Sequence, residues 1–397
     1  MKTLRDVTAT ATETAGRYPG DSARVRAVSL SCYSIRLPLT VEHYTMSGGR
    51  RLTEFQTTVV EVKADNGVAG YGEACTLGDN YIEGFAAGVQ ATVSRLAQTA
   101  LACPILAPDV LESQMDRDVK GHLAGKAAID TAFWDLRGKL LGQPIAVLLG
   151  GVHQPTYPLF YPLALAGAEE MADEAARASR DGYRRWQLKV GGDPMEDADR
   201  LRAVLKVVGD DAEFVTSDAN GGWTMAQARF FLRACRDLAD LPCFVEQPCP
   251  DLSQLGELRE VSAWPMIADE GICDLRDIVR CVELKAADAV NIKPTRVGGL
   301  TKAARIRDLA QALGLLVVID EPMGGDVATA AVSQLAASCR PERLLAASHL
   351  ASFSGLRLVT SGGASVVKGR GEIPQGSGLG IEIDLAALGE AQFALSS

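Results

Sequence analysis

The chain has 397 residues, enough for one large domain with a smaller one beside it, or for two to three of ordinary size. Hydrophobic residues at 47% and charged residues at 23% are the mix of a globular chain and exclude wholesale disorder and fibrous repeats. The balance of 40 Lys and Arg against 50 Asp and Glu gives a net charge of -10 with no basic run, which argues against nucleic acid and anionic membrane as partners. No apolar run approaches the roughly 18 residues of a spanning helix, and the N-terminus lacks the apolar core of a signal peptide, so a cytoplasmic protein is expected.

Residues 1–23, rich in Thr, Ala and charge, read as an extension before the first patterned segment, Val25 to Ile35. A polar loop with the sequence VEHYTMSGGR follows. FQTTVVEVKAD then alternates like a half-buried strand, and an Asn66-Gly67 turn leads into VAGYGEA, which makes a meander. In GKAAIDTAFWDLRGKLLG, the residues Ala128, Ile129, Ala132, Phe133 and Leu136 recur on one helix face. An α+β domain is expected over 24–151.

From 152 to 355 short apolar runs alternate with helix-patterned stretches, which argues for parallel strands with crossover helices. The runs are YPLALA (161–166), WQLKV (186–190), EFVTSD (213–218), PCFVEQ (242–247), PMIADE (265–270), DAVNIK (288–293), LLVVID (315–320) and RLLAAS (343–348). Their number and nearly even spacing predict an α/β barrel rather than an open sheet. The remaining segment, 356–397, reads mainly as strand and turn and is expected to return to the first domain.

In a barrel enzyme the working residues close the strands. Here those ends are Lys189, Asp218, Glu246, Asp269, Lys293 and the pair Asp320 and Glu321. Three acids on consecutive strands repel one another unless a cation lies between them. Nine Cys without a C-x-x-C pair, and four His with no two of them four residues apart, make neither a disulfide framework nor a zinc site. An all-oxygen set from Asp218, Glu246 and Asp269 selects Mg²⁺, with Mn²⁺ as a substitute. Lys189 and Lys293 flank the trio and would face each other across the mouth. A desolvated lysine near a divalent cation has its pKa lowered and can act as a general base. Such a set suits removal of the proton α to a carboxylate, through an enediolate.

These residues carry a resemblance. AAIDTAFWDLRGKLLGQPIAVLLGG, LKV at 188–190, SDAN at 217–220, VEQP at 245–248, ADE at 268–270, NIKPTRVGGLT at 291–301, EPMGGDVATAA and PQGSGLG resemble the mandelate racemase and muconate lactonizing enzyme family of the enolase superfamily, over about Val25 to Leu388. The resemblance implies an N-terminal α+β capping domain, a modified TIM barrel of the (β/α)7β type and one catalytic Mg²⁺. It implies Asp218, Glu246 and Asp269 as metal ligands, Lys189 and Lys293 as acid and base, Asn220 and Glu270 as supporting positions, and a dimer or octamer. Lys293 places the chain in the muconate lactonizing branch. That branch usually has Lys-x-Lys on the second strand, whereas Gln187 takes the first position here. Gln187 resembles the hydroxyproline betaine 2-epimerase group, and YTMSGGR with DNYIEG resembles the cis-3-hydroxyproline dehydratase group.

The expected reaction is racemisation or epimerisation at the α-carbon of a small carboxylate, first of a proline or hydroxyproline type. Dehydration of a β-hydroxy amino acid and cycloisomerisation are the alternatives at the same site. Asp320 and Glu321 either meet a cationic nitrogen or form a structural ion pair. The eighth run offers His349 and no aromatic cage for a quaternary ammonium. Tyr44, Met46 and Tyr81, in cap loops, either touch substrate or pack the domain interface.

Overall fold

The computed structural model describes residues 25–397; the expected extension lies outside the described residues. Ala27–Pro38, Glu54–Ala64 and Ala69–Cys75 form an antiparallel meander, and the last strand of the chain, Phe393–Ser396, pairs with the other side of Ala27–Pro38. Gly67 makes the predicted turn at φ 86°. The helix Leu123–Leu141 lies on this sheet. Gly70 and Gly72 permit the contact: a Cβ on Gly72 would meet the Ala128 carbonyl oxygen at 2.1 Å. The sequence pattern predicts one apolar face for this helix, but most of it is buried. The reason is a second neighbour. Trp134 Nε1 donates to Thr301 Oγ1 at 2.8 Å, and Asp130 accepts from the Thr301 amide at 2.9 Å, so the helix is clamped between cap sheet and barrel.

Eight parallel strands follow in strictly sequential order: Tyr161–Leu163, Arg185–Lys189, Phe214–Asp218, Cys243–Glu246, Met266–Ala268, Ala289–Ile292, Leu316–Ile319 and Leu344–Ala347. A bridge between Leu159 and Ala347 joins the eighth strand to the approach of the first. Helices follow the first seven strands, while a short 3₁₀ turn, Leu350–Phe353, follows the eighth. This is the modified (β/α)7β barrel, with an α+β cap. Glu73 ties the two together, accepting from the amides of Gly325 and Ala328 at 2.7 and 2.9 Å where the helix Asp326–Ala337 begins. Among the described residues no helix is long and apolar enough to cross a membrane.

Side chains alternate along a strand, so the inward face can be counted from the apolar plug of the barrel. Phe160, Phe214, Ile267, Ala289, Val318 and Ala346 form one buried cluster. Steps of two from these residues reach Asp218, Asp269, Asn291, Lys293 and Asp320. Phe244, packed on the same cluster, leads likewise to Glu246.

Candidate active site

Strand register sets the layout. Lys189 pairs with Asp218, and Asp218 with Glu246, so one base and two acids lie level on three adjacent strands. Lys293 and Asp320 each follow the paired residues Ile292 and Ile319, which places them side by side. The lysines leave the second and sixth of eight strands, on opposite sides of the mouth.

On one side, buried Lys189 donates from Nζ to Asp218 Oδ2. Asn220 turns back in the left-handed region at φ 47°, so its amide reaches Asp218 Oδ1 at 2.9 Å and its Nδ2 reaches Asp218 Oδ2 and Glu270 Oε1 at 3.0 Å each. Burial, then the charges of Asp269 and Asp218, pushes Glu270 up to about 8. In the centre, Glu246 accepts from Gln187 Nε2 at 3.0 Å and from Asn291 Nδ2 at 2.7 Å. Burial and then Asp218 and Asp269 raise it well above the usual carboxylate range.

On the other side, Lys293 Nζ donates to Asp269 Oδ2 at 2.8 Å and lies 3.2 Å from Asp320 Oδ2. Arg296 Nη1 donates to Asp269 Oδ1 at 2.6 Å. Burial alone would raise Asp269, but Arg296 and Lys293 outweigh it and hold the carboxyl below its ordinary value. Arg296 and Asn291 belong to the NIKPTR stretch, yet their roles were not read from sequence. Gln247 was also missed. Its Oε1 accepts from the amide of Asp269 at 2.8 Å, from a backbone at φ 35°.

The expected depression of the lysines is not what the protein groups produce. Burial favours the neutral amine at both, but Asp218, then Tyr44, at Lys189 and Asp269, then Tyr81 and Asp320, at Lys293 raise both above the ordinary lysine value.

Tyr44, Met46, Leu77, Tyr81, Phe160, Gln187, Lys189, Lys293, Asp320, Glu321, Met323 and Leu350 are among the residues lining one cavity. The cavity these walls enclose is about 30 Å³, room for a water or two between the paired acids and lysines. Glu321 lines it, but its carboxylate accepts from the Thr295 amide at 3.0 and 3.2 Å, which commits it to holding the turn after the sixth strand. His349 is not among the lining residues, though its neighbour Leu350 is; the chain turns after Ala347, and His349 Nε2 lies 3.1 Å from the Ala364 carbonyl. A larger hollow on the outer barrel wall, with Arg229, Arg233 and Trp264, carries none of the strand-end residues.

Among the described residues no three His, Cys, Asp or Glu side chains converge as a ready-formed metal cluster. Asp218, Glu246 and Asp269 are instead drawn to Lys189, Gln187 with Asn291, and Lys293 with Arg296. The donor set still fits a hard cation. All three acids are buried, two of them raise the third, and Glu270 Oε2 is a buried acceptor without a hydrogen-bond partner.

A (β/α)7β barrel with this ring of acids and lysines under a cap defines an enzyme, an isomerase with a lyase reaction as the alternative. Residues 35–150 match the mandelate racemase / muconate lactonizing enzyme N-terminal domain, and residues 170–387 the enolase C-terminal domain-like family. The chain belongs to the mandelate racemase and muconate lactonizing enzyme family of the enolase superfamily. It is 35% identical to the cis-3-hydroxy-L-proline dehydratase of Roseibium aggregatum over 92% of this chain and 98% of that one. It is 31% identical to the N-succinyl-L-Arg/Lys racemase of Bacillus cereus over 77% and 83%. A family member from Roseovarius nubinhibens, solved with magnesium, superposes with a TM-score of 0.89 at 27% identity, covering 94% of this chain and 100% of that one.

Proposed function

We propose that the enzyme uses Mg²⁺ to take the proton from the α-carbon of a small amino-acid carboxylate, of proline or hydroxyproline type, and returns it on either face as a racemase or epimerase. The observation that carries this reading is the pair of buried lysines on the second and sixth barrel strands, lining one cavity from opposite sides. Asp218, Glu246 and Asp269 would hold the cation. A divalent ion there supplies positive charge that lowers the cost of ionising the α-carbon.

Were Asp218 and Asp269 to hold a cation, Lys189 and Lys293 would each lose a carboxylate's pull. Burial, the largest single influence on both, then favours the neutral amine. One lysine takes the α-proton as an amine, and the other, still an ammonium, donates a proton to the opposite face. Asp320, beside Lys293, would meet a protonated substrate nitrogen. Tyr44 lines the cavity and completes its wall from the cap. The family resemblance and the composition support a dimer or octamer working in the cytoplasm.

A second reading, loss of a β-hydroxyl after the same proton abstraction, is favoured by the 35% identity to a cis-3-hydroxy-L-proline dehydratase. Proton NMR in D₂O with Mg²⁺ separates the two, using both enantiomers of proline, N-methylprolines and the 3- and 4-hydroxyprolines. Deuterium at the α-carbon with inversion and no lost atoms supports the racemase or epimerase. A vinyl or imine product makes the protein a dehydratase. Absence of exchange across the panel overturns the prolyl assignment.

A further inference from the structure

We propose that Tyr81 is a positioning residue for Lys293, and that its hydroxyl governs proton transfer on the Lys293 face of the substrate and not on the Lys189 face. The proposal rests on the reading of the lysines as opposed acid and base. An ammonium has three N–H donors, and Lys293 has three acceptors around it: Asp269 Oδ2 at 2.8 Å, Asp320 Oδ2 at 3.2 Å and the Tyr81 hydroxyl. The two carboxylates belong to the strands on either side of the sixth and draw Nζ sideways along the wall. Tyr81 comes instead from the cap, 212 residues away in sequence. Its hydroxyl donates to Asp269 Oδ2 at 3.1 Å, and its ring centroid lies 5.0 Å from Nζ. It is thus the neutral anchor, and the one that fixes the height of Nζ over the mouth. Tyr44 of the cap stands near Lys189, but among the described residues no tyrosine hydroxyl bonds to its Nζ, which donates to Asp218.

Tyr81 is itself held. Arg50, on the neighbouring cap loop, donates to the Leu77 carbonyl at 2.7 Å and to Asn80 Oδ1. That loop is docked on the barrel, with the Leu165 amide on Thr45 O at 2.8 Å and Ser47 Oγ on the Asp218 carbonyl at 3.0 Å. The tyrosine therefore ties the seating of the cap directly to the Lys293 amine.

Tyr81→Phe keeps the ring and removes the hydroxyl. Two measurements test the proposal: crystal structures of the wild type and variant, and α-proton exchange measured separately from each enantiomer of proline and N-methylproline, with Lys293→Ala assigning the hand that Lys293 serves. The expected results are a Lys293 Nζ displaced by about 1 Å with Lys189 in place, and a loss of about tenfold or more in exchange from the Lys293 hand, the other hand staying within about twofold. An unmoved Nζ, or an equal loss from both hands, overturns it. If the wild type exchanges no panel member, the acid and base reading fails on this panel, while the position of Nζ in the two crystals still decides the positioning claim.

Discussion

Gln187 and Glu246, on the second and fourth barrel strands, are joined across the third by a hydrogen bond of 3.0 Å from Nε2 to Oε2. The amide satisfies the acid without neutralising it, which leaves Glu246 to a cation. Gln187→Leu should weaken Mg²⁺ binding by about tenfold to a hundredfold, the usual cost of losing a residue that orients a metal ligand. Isothermal titration with Mg²⁺ checks this, and an unchanged Kd would remove Gln187 from the metal account.

Asp320 lies 3.2 Å from Lys293 and lines the cavity. If it receives a protonated substrate nitrogen, Asp320→Asn should raise KM by about tenfold or more for proline-type substrates, since a hydrogen bond to a charged group is lost. For an N-acylated analogue, whose nitrogen is neutral, KM should barely move. Equal effects on the two classes would reduce Asp320 to a partner of Lys293.

Asp130 couples cap to barrel and titrates in an accessible range. Burial, opposed by the bonds from Thr301, pushes it up to about 7 from an ordinary value of 3.8. Between those values the folded chain holds a proton that the unfolded chain has lost. Its contribution therefore makes stability fall as pH rises from about 4 to 7 and level off above. Calorimetric melting at pH 5 and pH 8 should show a smaller difference for Asp130→Asn than for the wild type. The same difference in both proteins would contradict the assignment.

Gly72 sets how closely the cap sheet approaches the helix Leu123–Leu141. A methyl group there meets backbone at 2.1 and 2.5 Å, which no side-chain rotation relieves. Gly72→Ala should destabilise the enzyme by about 1–3 kcal/mol, the range for overpacking. Wild-type stability in urea would show that the contact yields.

The barrel was legible because its strands are apolar runs that end in charge: Asp218, Glu246, Asp269 and Lys293 close four consecutive ones, and inward-facing alternation fixes where they point. What was not legible came from side chains whose partners are set by closure of the barrel or by docking of the cap. Asn291 reaches Glu246 across 45 residues and Arg296 reaches Asp269 across 27, though both lie in a stretch singled out from sequence. Glu321 looked like a substrate residue because it follows Asp320. It does line the cavity, and its carboxylate also accepts from the Thr295 amide, a partner that only the folded turn reveals. Nothing in LLAASHLAS shows that the eighth strand stops at Ala347, two residues before His349.

The central claim is that Lys189 and Lys293 work on opposite faces of one α-carbon. Its most direct test is α-proton exchange in D₂O with Mg²⁺, each enantiomer offered alone to Lys189→Ala and to Lys293→Ala. Each variant should lose exchange from one hand and keep it from the other, in complementary fashion. Loss of the same hand in both variants, or retention of both hands in either, would contradict the account.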